Sequence, residues 1–197
     1  MVTFRNDDIN ANTDFYNLGE MYAVIRELFP ECNIWSCVTM FCRTNDKGSV
    51  YNQVPFKNKP TEWFYDTNRI TCYDKALDDT VIVSHGLFHI DHTQIGRDAQ
   101  EMSILGSCKF LDTSLFVPPF NRSDESMEEI CDNNSIDLVH KDEGWKSLEF
   151  EPFDPSHEFW YFHSWRFTPQ KLKRVLLGKR RDLGQLRTDT TEDTGQV

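Results

Sequence analysis

Three groups of residues in this sequence could do hydrolytic chemistry together: Asp7-Asp8, His85-Gly86-Leu87-Phe88-His89 and His163. Two neighbouring carboxylates can divide the work, one ligating a metal while the other takes a proton. As consecutive residues at a strand end they are expected to point in different directions. An isolated Asp-Asp pair is more often a solvated turn or a helix cap. Two imidazoles at an i, i+4 spacing suit zinc, and a carboxylate as third ligand leaves a fourth position open, the mark of a catalytic site. Gly86 permits a tight turn between them. Asp91 and His92 follow closely, so His89 with His92 is a competing ligand pair. His163 ends the aromatic run Phe159-Trp160-Tyr161-Phe162. A lone histidine in such a run is commonly a hydrogen-bonded core residue.

What raises the functional reading is where these groups fall. Val2 to Arg5 reads as a short strand ending at Asn6-Asp7-Asp8, and Val81-Ile82-Val83-Ser84 as a strand ending at His85. Ser114 to Val117 is a strand cut by Pro118-Pro119, and Glu158 to Phe162 is an aromatic strand ending at His163. Chemistry in α/β architectures gathers at the C-terminal ends of strands, so four segments converge on one rim.

The elements between them alternate with these strands. Asp14 to Phe29 carries Phe15, Leu18, Tyr22, Ile25, Leu28 and Phe29 at helical spacing, with Pro30 as its stop. Asn33 to Phe41 is rich in β-formers. Arg43 to Pro60 is polar and reads as a long loop. Ile95 to Phe110 reads as a helix, and so does Ser123 to Cys131, where a capping box opens at Ser123. Ile136 to His140 reads as a strand, and Thr168-Pro169 starts a last helix that runs to about Leu177. The pattern predicts an α/β fold with a mostly parallel sheet. Residues 1–178 are expected to form one catalytic domain, followed by a polar tail over 179–197 that lacks apolar periodicity.

Composition narrows the partners. The chain has 197 residues and a formal net charge of −11, which argues against nucleic acid and against an anionic membrane surface. Six cysteines (Cys32, Cys37, Cys42, Cys72, Cys108, Cys131) form no C-x-x-C pair, so thiols in a reducing compartment are expected. With no secretory signal and no long apolar run in view, the expected location is cytoplasmic. Aromatics are plentiful at 13%; aromatic faces suit sugar rings, though most belong in a core.

Four motifs, in order, resemble those of polysaccharide deacetylases (the NodB-homology group, carbohydrate esterase family 4). Phe4-Arg5-Asn6-Asp7-Asp8-Ile9 looks like their opening Asp-Asp motif. Val83-Ser84-His85-Gly86-Leu87-Phe88-His89 looks like their H-x-x-x-H motif, Val117-Pro118-Pro119-Phe120 like R-x-P-[FY], and Tyr161-Phe162-His163 like the terminal L-x-H. The resemblance implies a distorted, incomplete (β/α)7-type barrel. It implies Asp8, His85 and His89 as ligands of a divalent metal, most simply Zn2+, Asp7 as general base and His163 as general acid. The implied reaction removes an N- or O-acetyl group from a carbohydrate, with Pro119, Phe120, Asn121, Trp145 and Trp165 as substrate contacts. A metal that acidifies water toward a pKa of ~7 would supply the nucleophile. There are departures. Val117 stands where the family has an arginine, leaving Arg5 or Arg122 to substitute. The family's Asp-Trp motif is only faintly echoed by Asp142 and Trp145, and Tyr161 replaces an apolar residue. The alternative reading is a non-catalytic relative that binds metal and a carbohydrate or protein.

Overall fold

The computed structural model describes residues 1–43, 67–69, 75–139 and 144–178. The loop expected over 44–60, His140, Asp142, Cys72 and the tail 179–197 lie outside the described residues. Seven strands form one parallel sheet in the order β7-β6-β5-β2-β1-β9-β8: β1 (Thr3–Ile9), β2 (Asn33–Val38), β5 (Val81–Ser84), β6 (Leu115–Phe116), β7 (Asp137–Leu138), β8 (Lys146–Ser147) and β9 (Phe159–His163). A separate antiparallel pair joins β3 (Phe41–Arg43) to β4 (Thr67–Arg69). The α-helices among the described residues are α1 (Phe15–Leu28), α2 (Arg97–Leu111), α3 (Glu125–Asn133) and α4 (Pro169–Leu176). Parallel neighbours need crossovers, and α1, α2 and α3 supply them between β1 and β2, β5 and β6, and β6 and β7.

The sheet curls into an incomplete (β/α)7-type barrel, and its core shows why. Cys37, Val83, Val117, Val139 and Trp145 pack as one buried cluster, although they come from β2, β5 and the ends of β6, β7 and the β8 approach. Only a sheet bent toward a common axis brings side chains from so many strands together. The outer face of β1, β2 and β9 offers Phe4, Ile34, Trp160 and Phe162 to a larger cluster with Leu18, Tyr22 and Ile25 of α1 and Leu172, Val175 and Leu176 of α4. Alternation along β1 thus sends Phe4 and Asn6 outward and Arg5 and Asp7 inward. The buried Asn6 is not left unsatisfied: its Nδ2 donates to Tyr22 Oη at 3.2 Å, and Tyr22 Oη pairs with Ser36 Oγ at 2.8 Å. Burial raises the Tyr22 phenol well above its ordinary pKa, so it stays neutral there.

Helix starts follow local chemistry. Asp14 caps α1 by accepting from Asn17 N, and Thr168 caps α4 from Lys171 N with Pro169 in the first turn. The capping box expected at Ser123 shifts by one residue: Asp124 is the cap, accepting from Met127 N at 3.0 Å. Strand lengths depart more. β1 continues through Ile9 and does not stop at Arg5, β2 ends at Val38, and β8 is a two-residue strand that the pattern does not announce. Among the described residues Cys32, Cys37, Cys108 and Cys131 are free thiols, and no helix is long and apolar enough to cross a membrane.

Candidate active site and metal centre

The site opens at the C-terminal ends of the strands, as a cleft of about 200 Å³ lined by residues that include Asp7, Asp8, His85, His89, Phe120, Asn121 and His163. Adjacent Asp7 and Asp8 meet different partners, Arg5 and the histidines, yet both line the same cleft. The pairing of β1 with β2 shifts between Asn6 and Ile9, and Asp8 takes φ +72. That left-handed residue in a bulge turns its side chain back toward the face that Asp7 already occupies, a strain typical of functional positions.

Asp8 is the centre of the cluster. Its Oδ1 lies 2.8 Å from His89 Nε2 and 3.2 Å from His85 Nε2, and its Oδ2 lies 3.3 Å from His163 Nε2. Burial pushes the Asp8 carboxyl up, but His89, His85 and His163 outweigh it and hold the group well below the usual carboxylate range. His85 Nδ1 sits 2.7 Å from the Val117 carbonyl. A carbonyl can only accept, so Nδ1 carries a proton there and Nε2 is the ring nitrogen turned toward Asp8. Two imidazole nitrogens and a buried carboxylate oxygen without a hydrogen-bond donor therefore face one another, all ligand atoms within 4.8 Å. A cation between them satisfies all three, and the set of two imidazoles and one carboxylate is that of open, hydrolytic zinc sites. The residues fit a divalent metal.

The competing histidine does not join them. His92 is fully buried, with Nδ1 3.0 Å from the Ile90 carbonyl and Nε2 2.9 Å from Ser103 Oγ. Both ring nitrogens are spent on protein partners. Burial drops its pKa to about 4, so it stays neutral as a strut of the loop that carries His85 and His89. Gly86, at φ +89, makes that loop possible: a Cβ there would meet His92 Cε1 at 3.0 Å.

Asp7 is held from the barrel interior. Arg5, two residues earlier on the same face and 0% exposed, places Nε 2.9 Å from Asp7 Oδ1 and donates from NH2 to Asp7 Oδ2 at 2.9 Å. The same nitrogen donates to Asn121 Oδ1 at 2.6 Å, and the guanidinium lies 4.6 Å from the Trp145 ring and 5.2 Å from the Tyr161 ring. Arg122 plays no such part; it is 65% exposed and pairs with Asp91 Oδ2 at 2.6 Å. Cys37 lies beneath Asp7; burial and the Asp7 charge push its thiol well above the ordinary range, so it remains protonated.

His163 faces Asp7 across the β1–β9 register. Its Nδ1 is 2.5 Å from Glu149 Oε1, an oxygen that also accepts from the His163 backbone N–H at 3.1 Å. Arg166 Nε lies 3.2 Å from the other oxygen of Glu149. Burial disfavours the charged ring, but Glu149 and Asp8 outweigh it and raise the His163 pKa. The ring's neighbour is Trp165, at 5.6 Å between centroids, and not Trp160, which belongs to the outer core.

The remaining expected contacts separate. Phe120 (φ +61) and Asn121 (φ +52) form a tight turn after Pro118. That turn lays Phe120 against His89 at 4.6 Å and brings Asn121 onto Arg5. Trp165 also lines the cleft. Pro119 and Trp145 do not: Pro119 is buried in the turn, and Trp145 packs on Trp35 and Phe159 beneath Arg5. Glu149 is the site residue that sequence reasoning missed. It follows a strand end like the others, but that strand is only Lys146–Ser147.

No protein-family model matches the chain, and no curated protein matches it in sequence. Among solved structures the chain is similar to a family 4 carbohydrate esterase from Streptomyces lividans in complex with acetate, with TM-score 0.52 and 11% identity over 91% of this chain and 88% of that one. The fold is polysaccharide-deacetylase-like. Within this polysaccharide-deacetylase-like fold, Val117 stands on β6's end without a guanidinium, yet its carbonyl holds His85. The guanidinium that meets the Asp7 carboxylate comes instead from β1, through Arg5.

Proposed function

We propose that this chain is a metal-dependent hydrolase that removes an acetyl group, N- or O-linked, from a carbohydrate. The observation that carries the reading is the joint placement of three devices in one cleft: the Asp8, His85, His89 donor set, an arginine-clamped Asp7, and a carboxylate-held His163. When bound, a divalent ion such as Zn2+ supplies Lewis-acid chemistry, polarising the acyl carbonyl and acidifying water. The chain's own groups do the rest. Asp7 accepts the proton of the attacking water, and Arg5 with Asn121 fixes the direction of its carboxylate. Glu149 accepts from His163 Nδ1, so the Nε2 proton faces the cleft, where it can reach the departing amine or alkoxide. Phe120 and Trp165 wall the acyl and sugar sides with apolar surface. The solved neighbour, a carbohydrate esterase in complex with acetate, supports the same reaction class.

The absence of an arginine at Val117 favours a non-catalytic relative. Arg5 on Asp7 removes that argument, and a binder has no need of both a held base and a held acid. The test is acetate release from chito-oligosaccharides and acetyl esters with and without chelator. Asp7→Asn is expected to keep its metal and to lose about 10²–10⁴-fold in turnover. Chelator-insensitive release, or loss of metal in Asp7→Asn, would contradict the proposal.

A further inference from the structure

The edge of the cleft below β9 carries positive charge that the proposed chemistry does not use. Arg166 lines the cleft, is 37% exposed on its side chain, and stacks its guanidinium 4.5 Å over the Trp165 ring. Only its Nε is engaged, with Glu149 Oε2 at 3.2 Å; no described residue accepts from its two terminal nitrogens. Glu149 is a single, nearly buried carboxylate whose other oxygen is taken by His163. Lys171 adds a second permanent cation to the same edge: its Nζ donates to the Arg166 carbonyl at 2.8 Å, and the charges of Glu149 and Arg166 both act on it. Across the cleft, Asp7 is already answered by Arg5 and Asp8 by the histidines. A protein with a net charge of −11 therefore presents a guanidinium fork in its cleft lining whose Nε meets Glu149 and whose terminal nitrogens have no described acceptor.

The geometry points to an anionic substrate: we propose that the acylated saccharide carries a carboxylate, of the uronate type, close to the acyl group, and that Arg166 is the residue that selects it. This rests on the deacetylase reading above and narrows it. The terminal nitrogens of an arginine present the parallel donors that a carboxylate accepts in pairs. Trp165 sets the distance. Its Nε1 donates to Asp8 Oδ2 at 3.4 Å while its ring face carries Arg166, so the anion site lies one indole away from the metal ligands, within reach of the same sugar ring or the next. With Nε paired to Glu149 and the Trp165 ring beneath it, the guanidinium is held on two sides, which limits the entropy lost on binding.

The test compares chito-oligosaccharide with the same oligosaccharide oxidised at C6 to the uronate, on zinc-loaded full-length protein. The expected result is a kcat/KM about tenfold or more higher on the oxidised form, carried by KM and weakened by salt. Arg166→Gln should bring the ratio of the two kcat/KM values near one, and Arg166→Lys should keep part of the preference. A preference that survives Arg166→Gln overturns the proposal. So does an equal loss on both substrates, which would mean that Arg166 serves only Glu149 and His163. A second readout is independent of turnover: calorimetric titration with sodium glucuronate and with its methyl ester. Binding of the free acid should exceed that of the ester and fall about tenfold in Arg166→Gln; binding indifferent to the substitution refutes the site. Arg166-dependent glucuronate binding without hydrolysis of either oligosaccharide would sink the deacetylase reading and leave the anion site standing.

Discussion

Replacing Arg5 by methionine is expected to be among the most costly single changes in the molecule. Arg5 is fully buried, and so, nearly, is the Asp7 carboxylate that it grips with two contacts of 2.9 Å. Its removal also strips a 2.6 Å hydrogen bond from Asn121 Oδ1 and the ring contacts with Trp145 and Tyr161. Methionine fills much of the volume, so the cavity contribution is small. What remains is a buried carboxylate without its counter-ion, which costs about 3–5 kcal/mol. For a domain of this size that corresponds to a fall in Tm of roughly 6–20 °C. The electrostatic origin makes a sharper forecast: the double variant Arg5→Met, Asp7→Leu should recover most of the lost stability, because nothing charged is then left buried. Urea titrations of the wild type, both single variants and the double variant measure the coupling. A loss below about 1 kcal/mol in Arg5→Met, or a double variant as unstable as the worse single one, would refute the reasoning.

Other positions give independent checks. His92, with its pKa lowered to about 4 by burial, is neutral in the fold but takes a proton in the unfolded chain below about pH 6.5. The unfolded state then binds more protons between about pH 6.5 and 4, so stability falls as pH falls through that window, by on the order of 3 kcal/mol. His92→Gln should flatten this part of the profile in chemical denaturation; an unchanged slope would contradict it. Gly86→Ala should cost more than about 1 kcal/mol. Its φ of +89 is unfavourable for alanine, and the new Cβ would lie 3.0 Å from His92 Cε1 and 3.1 Å from the Phe88 carbonyl oxygen. A neutral effect on Tm would show that the loop is free to relax. Glu149→Gln removes a charge that raises the His163 pKa, so the ring loses its proton at lower pH and the high-pH limb of kcat/KM should move down. A limb that stays in place would separate Glu149 from the acid.

The alternation of strand and helix was legible because each central strand ends abruptly in polar residues, several of which line the cleft. The part that stayed hidden depended on lengths and turns. Ending β1 at Arg5 makes Asp7-Asp8 a loop; carrying it to Ile9 puts Arg5 and Asp7 on one face and makes the ion pair evident. Nothing in the residue types of Asn6-Asp7-Asp8 announces the bulge and the left-handed Asp8 that bring both carboxylates into one cleft. Glu149 was hidden because a strand of two residues has no period to detect. Trp145 shows the limit of reading aromatics by type: the same ring can face a sugar or support a buried arginine, and here it supports Arg5. What sets His92 apart from His89 is that both its ring nitrogens meet protein partners, which spacing does not encode.

Metal stoichiometry is the most direct test of Asp8, His85 and His89 as the ligand set. Zinc content after dialysis, with affinity by calorimetry, should be measured for the wild type, His85→Ala, His89→Ala and His92→Gln, each checked for folding by circular dichroism. One tightly held ion per chain is expected in the wild type and in His92→Gln, with loss of that ion in both alanine variants. Full metal in a folded His89→Ala, with loss in a folded His92→Gln, would contradict it.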